Sequence, residues 1–192
     1  ETGARLQYKV GTGDWSDTYD PNTLSDGTQS VQVRQLDLAG NVSAVQFLNF
    51  RLDKTAPTLT ISSDRTLVKS GDVAQITFTF SEDPGASFSI DDLQISGGTL
   101  ENLSRTGTVR TATYRPDSGL NGTSASIGLK STGSFTDVAG NTNTAVTVKT
   151  FTVDTVVPEV SISADKTRLL AGDTTTVTFT FTDAPASFSK DD

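Results

Sequence analysis

The chain of 192 residues contains no cysteine, no histidine and no methionine. Without cysteine no disulfide can staple a small fold, so stability rests on the core, on packing between units or on bound metal. Without histidine the commonest general base is missing, and Ser-His and Cys-His catalysis are excluded. Zinc loses both of its preferred ligand types. No apolar run approaches the roughly 18 residues of a membrane span. Positive charge is scarce: 15 Lys and Arg stand against 23 Asp and Glu, a net charge of −8. That balance argues against nucleic acid, whose phosphates demand Lys and Arg, and suits cations as partners.

What is present is a repeat. The order Asp53, Pro57, Leu59, Ile61, Asp64, Gly71-Asp72, Ile76-Thr77-Phe78-Thr79-Phe80, Glu82, Pro84, Phe88, Asp91-Asp92 returns as Asp154, Pro158, Val160, Ile162, Asp165, Gly172-Asp173, Val177-Thr178-Phe179-Thr180-Phe181, Asp183, Pro185, Phe188, Asp191-Asp192. The offset is 101 residues up to Pro185 and 100 beyond it. A fixed period of this length means a tandem array. The array divides into a C-terminal part of one immunoglobulin-like domain (4–53), a complete domain (54–153) and the N-terminal strands of a further one (154–192).

Inside the complete unit, strands are expected at 58–62 (A), 74–81 (B), 93–96 (C), 99–104 (D), 108–115 (E), 124–130 (F) and 144–153 (G). Seven short strands separated by turn signals, with no helical periodicity, describe an all-β fold of tandem immunoglobulin-like β-sandwiches. Ile76, Phe78 and Phe80 take the inner face, while Gln75, Thr77 and Thr79 face out. In the first 52 residues strands are expected at 6–10, around Val31 and Val33, and at 42–52. Val45 and Phe47 fall out of phase with Phe50 and Leu52, as Val146 and Val148 do with Phe151 and Val153, which predicts a β-bulge in each final strand.

These residues resemble the bacterial immunoglobulin-like repeats of giant surface adhesins and biofilm-associated proteins. The resemblance rests on Asp53-Lys54-Thr55-Ala56-Pro57, Thr77-Phe78-Thr79-Phe80-Ser81-Glu82, the stretch from Ile90 to Leu100, and Asp137-Val138-Ala139-Gly140-Asn141, echoed by Asp37-Leu38-Ala39-Gly40-Asn41. The second linker, Asp154-Thr155-Val156-Val157-Pro158, keeps Asp and Pro but loses the Thr-Ala pair. The family implies an extracellular protein of the bacterial cell surface, secreted by a type I system, whose repeats form a stalk stiffened by calcium.

In such a sandwich the BC and FG loops lie at the end where the chain enters. That places Asp53, Glu82, Asp83, Asp91, Asp92, Asp137 and Asn141 near the linker, with Asp154, Asp183 and Asp191 recurring at the next junction. Calcium, which takes six to eight oxygens, suits this set; ordinary turn acids are the bland alternative. Asp64, Asp72, Asp117 and Asn121 offer a weaker second set at the opposite end. Asp37 and Asn41 belong to a unit whose BC loop is not in the sequence, so no complete site is expected there.

No catalysis is expected. Asp91 and Asp92 are neighbours on one chain, unlike the facing carboxyls of a glycosidase, and no Lys–Asn spacing singles out an isopeptide bond. The rival to a structural stalk is a carbohydrate- or protein-binding module, in which Trp15 would stack on a sugar. The expected partners are neighbouring repeats of the same protein. Strand exchange between copies is the alternative to a cut from a longer folded chain.

Overall fold

The computed structural model describes residues 3–183 and 187–189. The described residues contain strands, turns and three short 3-10 segments, in keeping with a chain in which Thr, Ser and Val outnumber strong helix formers.

Residues 59–154 build a two-sheet sandwich. Its strands are β4 (Leu59–Ser63), β5 (Leu67–Lys69), β6 (Ala74–Phe80), β7 (Leu93–Ser96), β8 (Gly98–Glu101), β9 (Val109–Pro116), β10 (Thr123–Leu129) and β11 (Val148–Asp154). One sheet runs β4–β6–β9–β8 and the other β5–β11–β10–β7. In immunoglobulin letters these are A-B-E-D against A′-G-F-C, the constant-type arrangement. Leu59, Ile61, Ile76, Phe78, Phe80, Ala112 and Tyr114 from the first sheet meet Leu93, Ala125, Ile127, Leu129, Phe151 and Val153 from the second in one buried core. Phe88 fills the end of that core, with its ring centroid 4.8 Å from Phe80 and 5.5 Å from Phe78.

Gly98 shows how tightly the core is filled. A Cβ at this position would lie 2.7 Å from the Tyr114 ring and 2.3 Å from the Arg115 carbonyl oxygen, so only glycine lets β8 approach β9 here.

Three expectations need correction. The pairing of β10 with β11 is continuous from Thr123↔Val153 to Gly128↔Val148, so no bulge interrupts it. Val146 and Val148 lie exposed outside the core, while Phe151 and Val153 lie inside. The seventh strand therefore begins at Val148, well after residue 144. The strand β5 was unforeseen; its three residues pair in parallel with Thr152, Val153 and Asp154 of β11. The fourth strand stops at Glu101 because Asn102 adopts a left-handed conformation, φ 57°, which turns the chain away.

Before the sandwich, β1 (Arg5–Val10), β2 (Gly27–Leu36) and β3 (Gln46–Leu52) form a three-stranded antiparallel sheet. Here too the register runs unbroken, from Gly27↔Leu52 to Val33↔Gln46, so the expected bulge is absent and Phe47 points away from the face that carries Phe50. After the sandwich, β12 (Val160–Ala164) and β13 (Val177–Phe181) form a hairpin-like pair in the register of β4 with β6.

Candidate metal centre

The turn 137–141 is built from its own residues. Asp137 Oδ1 accepts the Asn141 backbone N–H at 2.9 Å, and Oδ2 accepts Asn141 Nδ2 at 2.9 Å. Gly140, at φ 94°, supplies the left-handed step that brings the chain back. Burial acts to raise the Asp137 carboxyl; the Asn141 side-chain and backbone donors, with the N–H groups of Gly140 and Ala139, outweigh it and hold the group below the usual carboxylate range. The turn 37–41 repeats the geometry, with Asn41 bonded to Asp37 through both its backbone N–H and its amide, each at 2.7 Å.

Asn141 also reaches outward. Its Nδ2 donates to the main-chain carbonyl of Asp53 at 3.2 Å, which seats the linker against the turn. The carboxylates of Asp53, Glu82 and Asp137 then converge, one ligand oxygen of each lying within 4.8 Å of the others. Asp137 is buried, Asp53 and Glu82 half-buried. Among the described residues this is the one group of three acids close enough to share an ion, and no Lys or Arg pairs with any of the three.

The other candidates are placed elsewhere. Asp83 turns to Arg110: its Oδ1 accepts from Arg110 Nη2 at 2.9 Å and from the Gly85 N–H at 3.0 Å, and Oδ2 accepts from the Gly107 N–H at 3.1 Å. The Gly85 N–H and the Arg110 guanidinium hold its carboxyl below the usual range. Asp92 caps a short 3-10 segment, its Oδ2 accepting from the Ser89 N–H at 2.7 Å. The Asp91 side chain is exposed, and its carbonyl accepts from Lys130 Nζ at 2.5 Å.

At the second junction Asp154 Oδ1 accepts from the Val156 N–H at 3.3 Å, matching Asp53 Oδ1 and Thr55 N at 3.1 Å. Asp183 accepts from Asn121 Nδ2 at 3.1 Å. Asp191 lies outside the described residues. In the weaker second set, Asp64 caps the Gln75 N–H and Asp72 pairs with Arg65, so these acids do not gather.

Sequence reasoning missed two residues that matter. Asp26, from the loop before β2, accepts from the Lys54 N–H at 2.9 Å and from Thr55 Oγ1 at 2.6 Å, while Lys54 Nζ donates to the Leu24 carbonyl at 2.5 Å. The first linker is thus gripped from both sides, by Asp26 behind and Asn141 ahead. The second linker is gripped likewise: Thr155 Oγ1 donates to the Asp117 carbonyl at 2.9 Å and its N–H to Leu120 at 2.6 Å. The other missed residue is Arg110, 1% exposed, whose guanidinium ties Asp83 to the carbonyls of Gly85, Phe88 and Gly107. Its signal was the period of β9, which places Arg110 on the inner face with Ala112 and Tyr114.

A sequence profile described as bacterial Ig-like domain matches residues 53–153 and again 154–192, well over half of the chain. The chain belongs to the bacterial Ig-like domain family. Its two matched copies begin at Asp53 and Asp154, the residues that open the two linkers. No curated protein matches the chain. Among solved structures the "D00-D0 domain of Intimin" is similar, at 15% sequence identity over 79% of this chain and 78% of that one, with a TM-score of 0.31. Outside the matched bacterial Ig-like residues, Trp15 lies under the Arg34 guanidinium, 4.1 Å from its ring centroid, so one ring face is covered by the protein itself.

Proposed function

We propose that this chain is a stalk segment of a bacterial cell-surface adhesin, with calcium stiffening the junctions between adjacent sandwiches. The observation that carries the reading is the convergence of Asp53, from the linker, with Glu82 and Asp137, from two loops of the next sandwich. Two unit charges about 5 Å apart at an effective dielectric near 20 repel by roughly 3 kcal/mol, so the trio needs a counter-charge. The donor set suits calcium. Carboxylate oxygens lying within 4.8 Å of one another can share one ion at the roughly 2.3–2.6 Å that calcium requires. Magnesium demands a stricter octahedron and keeps several waters, and zinc has neither His nor Cys here.

The position of the acids supports the stalk. A cation held by both linker and sandwich would restrain two neighbours that otherwise share only a small interface and swing by default. Tandem family matches and a gripped linker suit an extender whose partners are its own neighbouring repeats, outside the cell and without catalysis.

The test is removal of the metal. A chelator should lower the melting temperature and broaden the interdomain distances seen by small-angle scattering; calcium at one hundred times its dissociation constant adds about 2.7 kcal/mol of stability. Asp53→Ala should reproduce the chelator's effect on scattering, and Asp117→Ala should not. Unchanged melting and scattering in protein freed of carried-over calcium would reduce the trio to turn acids.

A further inference from the structure

The sheet β1–β3 has two unlike faces. Its register aligns Tyr8, Val33 and Gln46 in one row, Val10, Val31 and Leu48 in the next, and Gln29 with Phe50 in a third, all on one side. The other side carries Gln7, Lys9, Gln32 and Arg34. No second sheet covers the apolar side among the described residues: Leu48 is 61% exposed, and a groove of about 280 Å³ opens beside Tyr8, Tyr19, Val31 and Val33.

The far end presents a matching face. In the β12–β13 pair Val160 lies opposite Phe181, Ile162 opposite Phe179 and Ala164 opposite Val177. Phe188 packs on Phe179 and Phe181 at centroid distances of 5.0 and 4.9 Å, yet Ile162 remains 66% exposed beside an open hollow of about 730 Å³. Apolar surfaces of this kind mark interaction sites.

The middle sandwich shows what two such faces do on meeting. By the repeat, Ile162, Phe179 and Phe181 stand where Ile61, Phe78 and Phe80 stand, and Phe50 and Leu52 stand where Phe151 and Val153 stand. In the middle sandwich all five counterparts lie in one closed core. The turn after β2 also copies the turn after β10, bond for bond between Asp37 and Asn41.

We propose that the β12–β13 pair of one copy of this chain seats on the apolar side of the β1–β3 sheet of a second copy, and that the two faces close a shared sandwich core. Closure within one chain is ruled out by the linkers. The first joins the sandwich beside Asp53 and Asn141, and the second leaves beside Leu120 at the other end of β11, about 23 Å away for seven extended residues. The contact joins two different surfaces, so it does not close on itself, and repeated use produces open linear chains.

The experiment measures mass in solution by sedimentation, with the full chain and two variants. Phe179→Asp puts a charge in the β12–β13 face, and Val31→Asp puts one in the β1–β3 face; each leaves the middle sandwich untouched, so its melting reports folding. The wild-type mass should rise beyond two copies with concentration. Each variant alone should remain a single copy. An equal mixture should stop at two copies, because one intact face of each kind remains. A wild-type chain that stays single at every concentration overturns the proposal, as does a mixture that stays single. A variant that still associates alone overturns it too, since like faces would then be pairing.

Discussion

The side-chain amide of Asn141 donates to the main-chain carbonyl of Asp53 at 3.2 Å while also holding the Asp137 carboxylate at 2.9 Å. One amide therefore couples the shape of a turn to the seat of a linker. Its counterpart Asn41 makes only the contacts within its own turn. Asn141→Ala should lower stability by about 1–2 kcal/mol, the range for lost hydrogen bonds to a charged group, and should speed proteolysis between residues 53 and 57. Asn41→Ala should leave that cleavage rate unchanged.

The core prediction contrasts two neighbours on β6. Phe78 is fully buried against Phe88, whereas Thr79 faces water. Phe78→Ala should cost about 3–5 kcal/mol in denaturant unfolding. Thr79→Ala should move the midpoint little; equal shifts would mean that the strand phase is wrong.

Arg110 and Asp83 should not behave as equal partners. Arg110 is 1% exposed, while the Asp83 side chain is 44% exposed. Arg110→Met strips a donor from the carbonyls of Gly85, Phe88 and Gly107, at about 1–3 kcal/mol for each group left without a replacement. Asp83→Asn keeps an oxygen in place and leaves the guanidinium its carbonyl partners, so its loss should be the smaller. Urea midpoints of the two variants give the order directly.

Acid should find the same groups. Asp26, Asp37, Asp83 and Asp137 are all held below the ordinary 3.8, by donors that bond the ionised form. A depressed folded-state value means that the contribution is fully present above the unfolded value and is lost as pH falls through the folded one. Stability should thus be flat near neutrality and fall below about pH 4. In Asp83→Asn the neutral-pH stability should be lower and the acid slope shallower, read from melting temperatures across pH.

Much of the sandwich was legible because alternation is a local signal. Ile76, Phe78 and Phe80 announce a strand and its inner face without help from the rest of the chain. Strand β5 was not legible, since Leu67–Lys69 is too short to show a period and exists only through its pairing with β11. The inferred bulges failed for a related reason. Val146 and Val148 look like core residues out of step, but they are simply valines on the outside, which sequence alone does not distinguish. The candidate site was legible as a set of loops and not as a set of ligands. Topology brought Asp53, Glu82 and Asp137 together, yet Asp83, one residue from Glu82, was claimed by Arg110, 27 positions away. The grip of Asp26 on Thr55 spans 29 positions and joins two loops that carry no shared pattern.

The parallel pairing of β5 with β11 decides how the sandwich bears a pull. A chain tugged at residues 57 and 154 in opposite directions draws β5 backward and β11 forward, each along its own axis. Thr152↔Leu67, Val153↔Val68 and Asp154↔Lys69 are then loaded together, in shear, and must fail at once rather than unzip from one end. Only three residue pairs stand in that line, so a substitution as small as Val68→Pro, which deletes a backbone donor from the middle of it, should make the sandwich yield at lower tension.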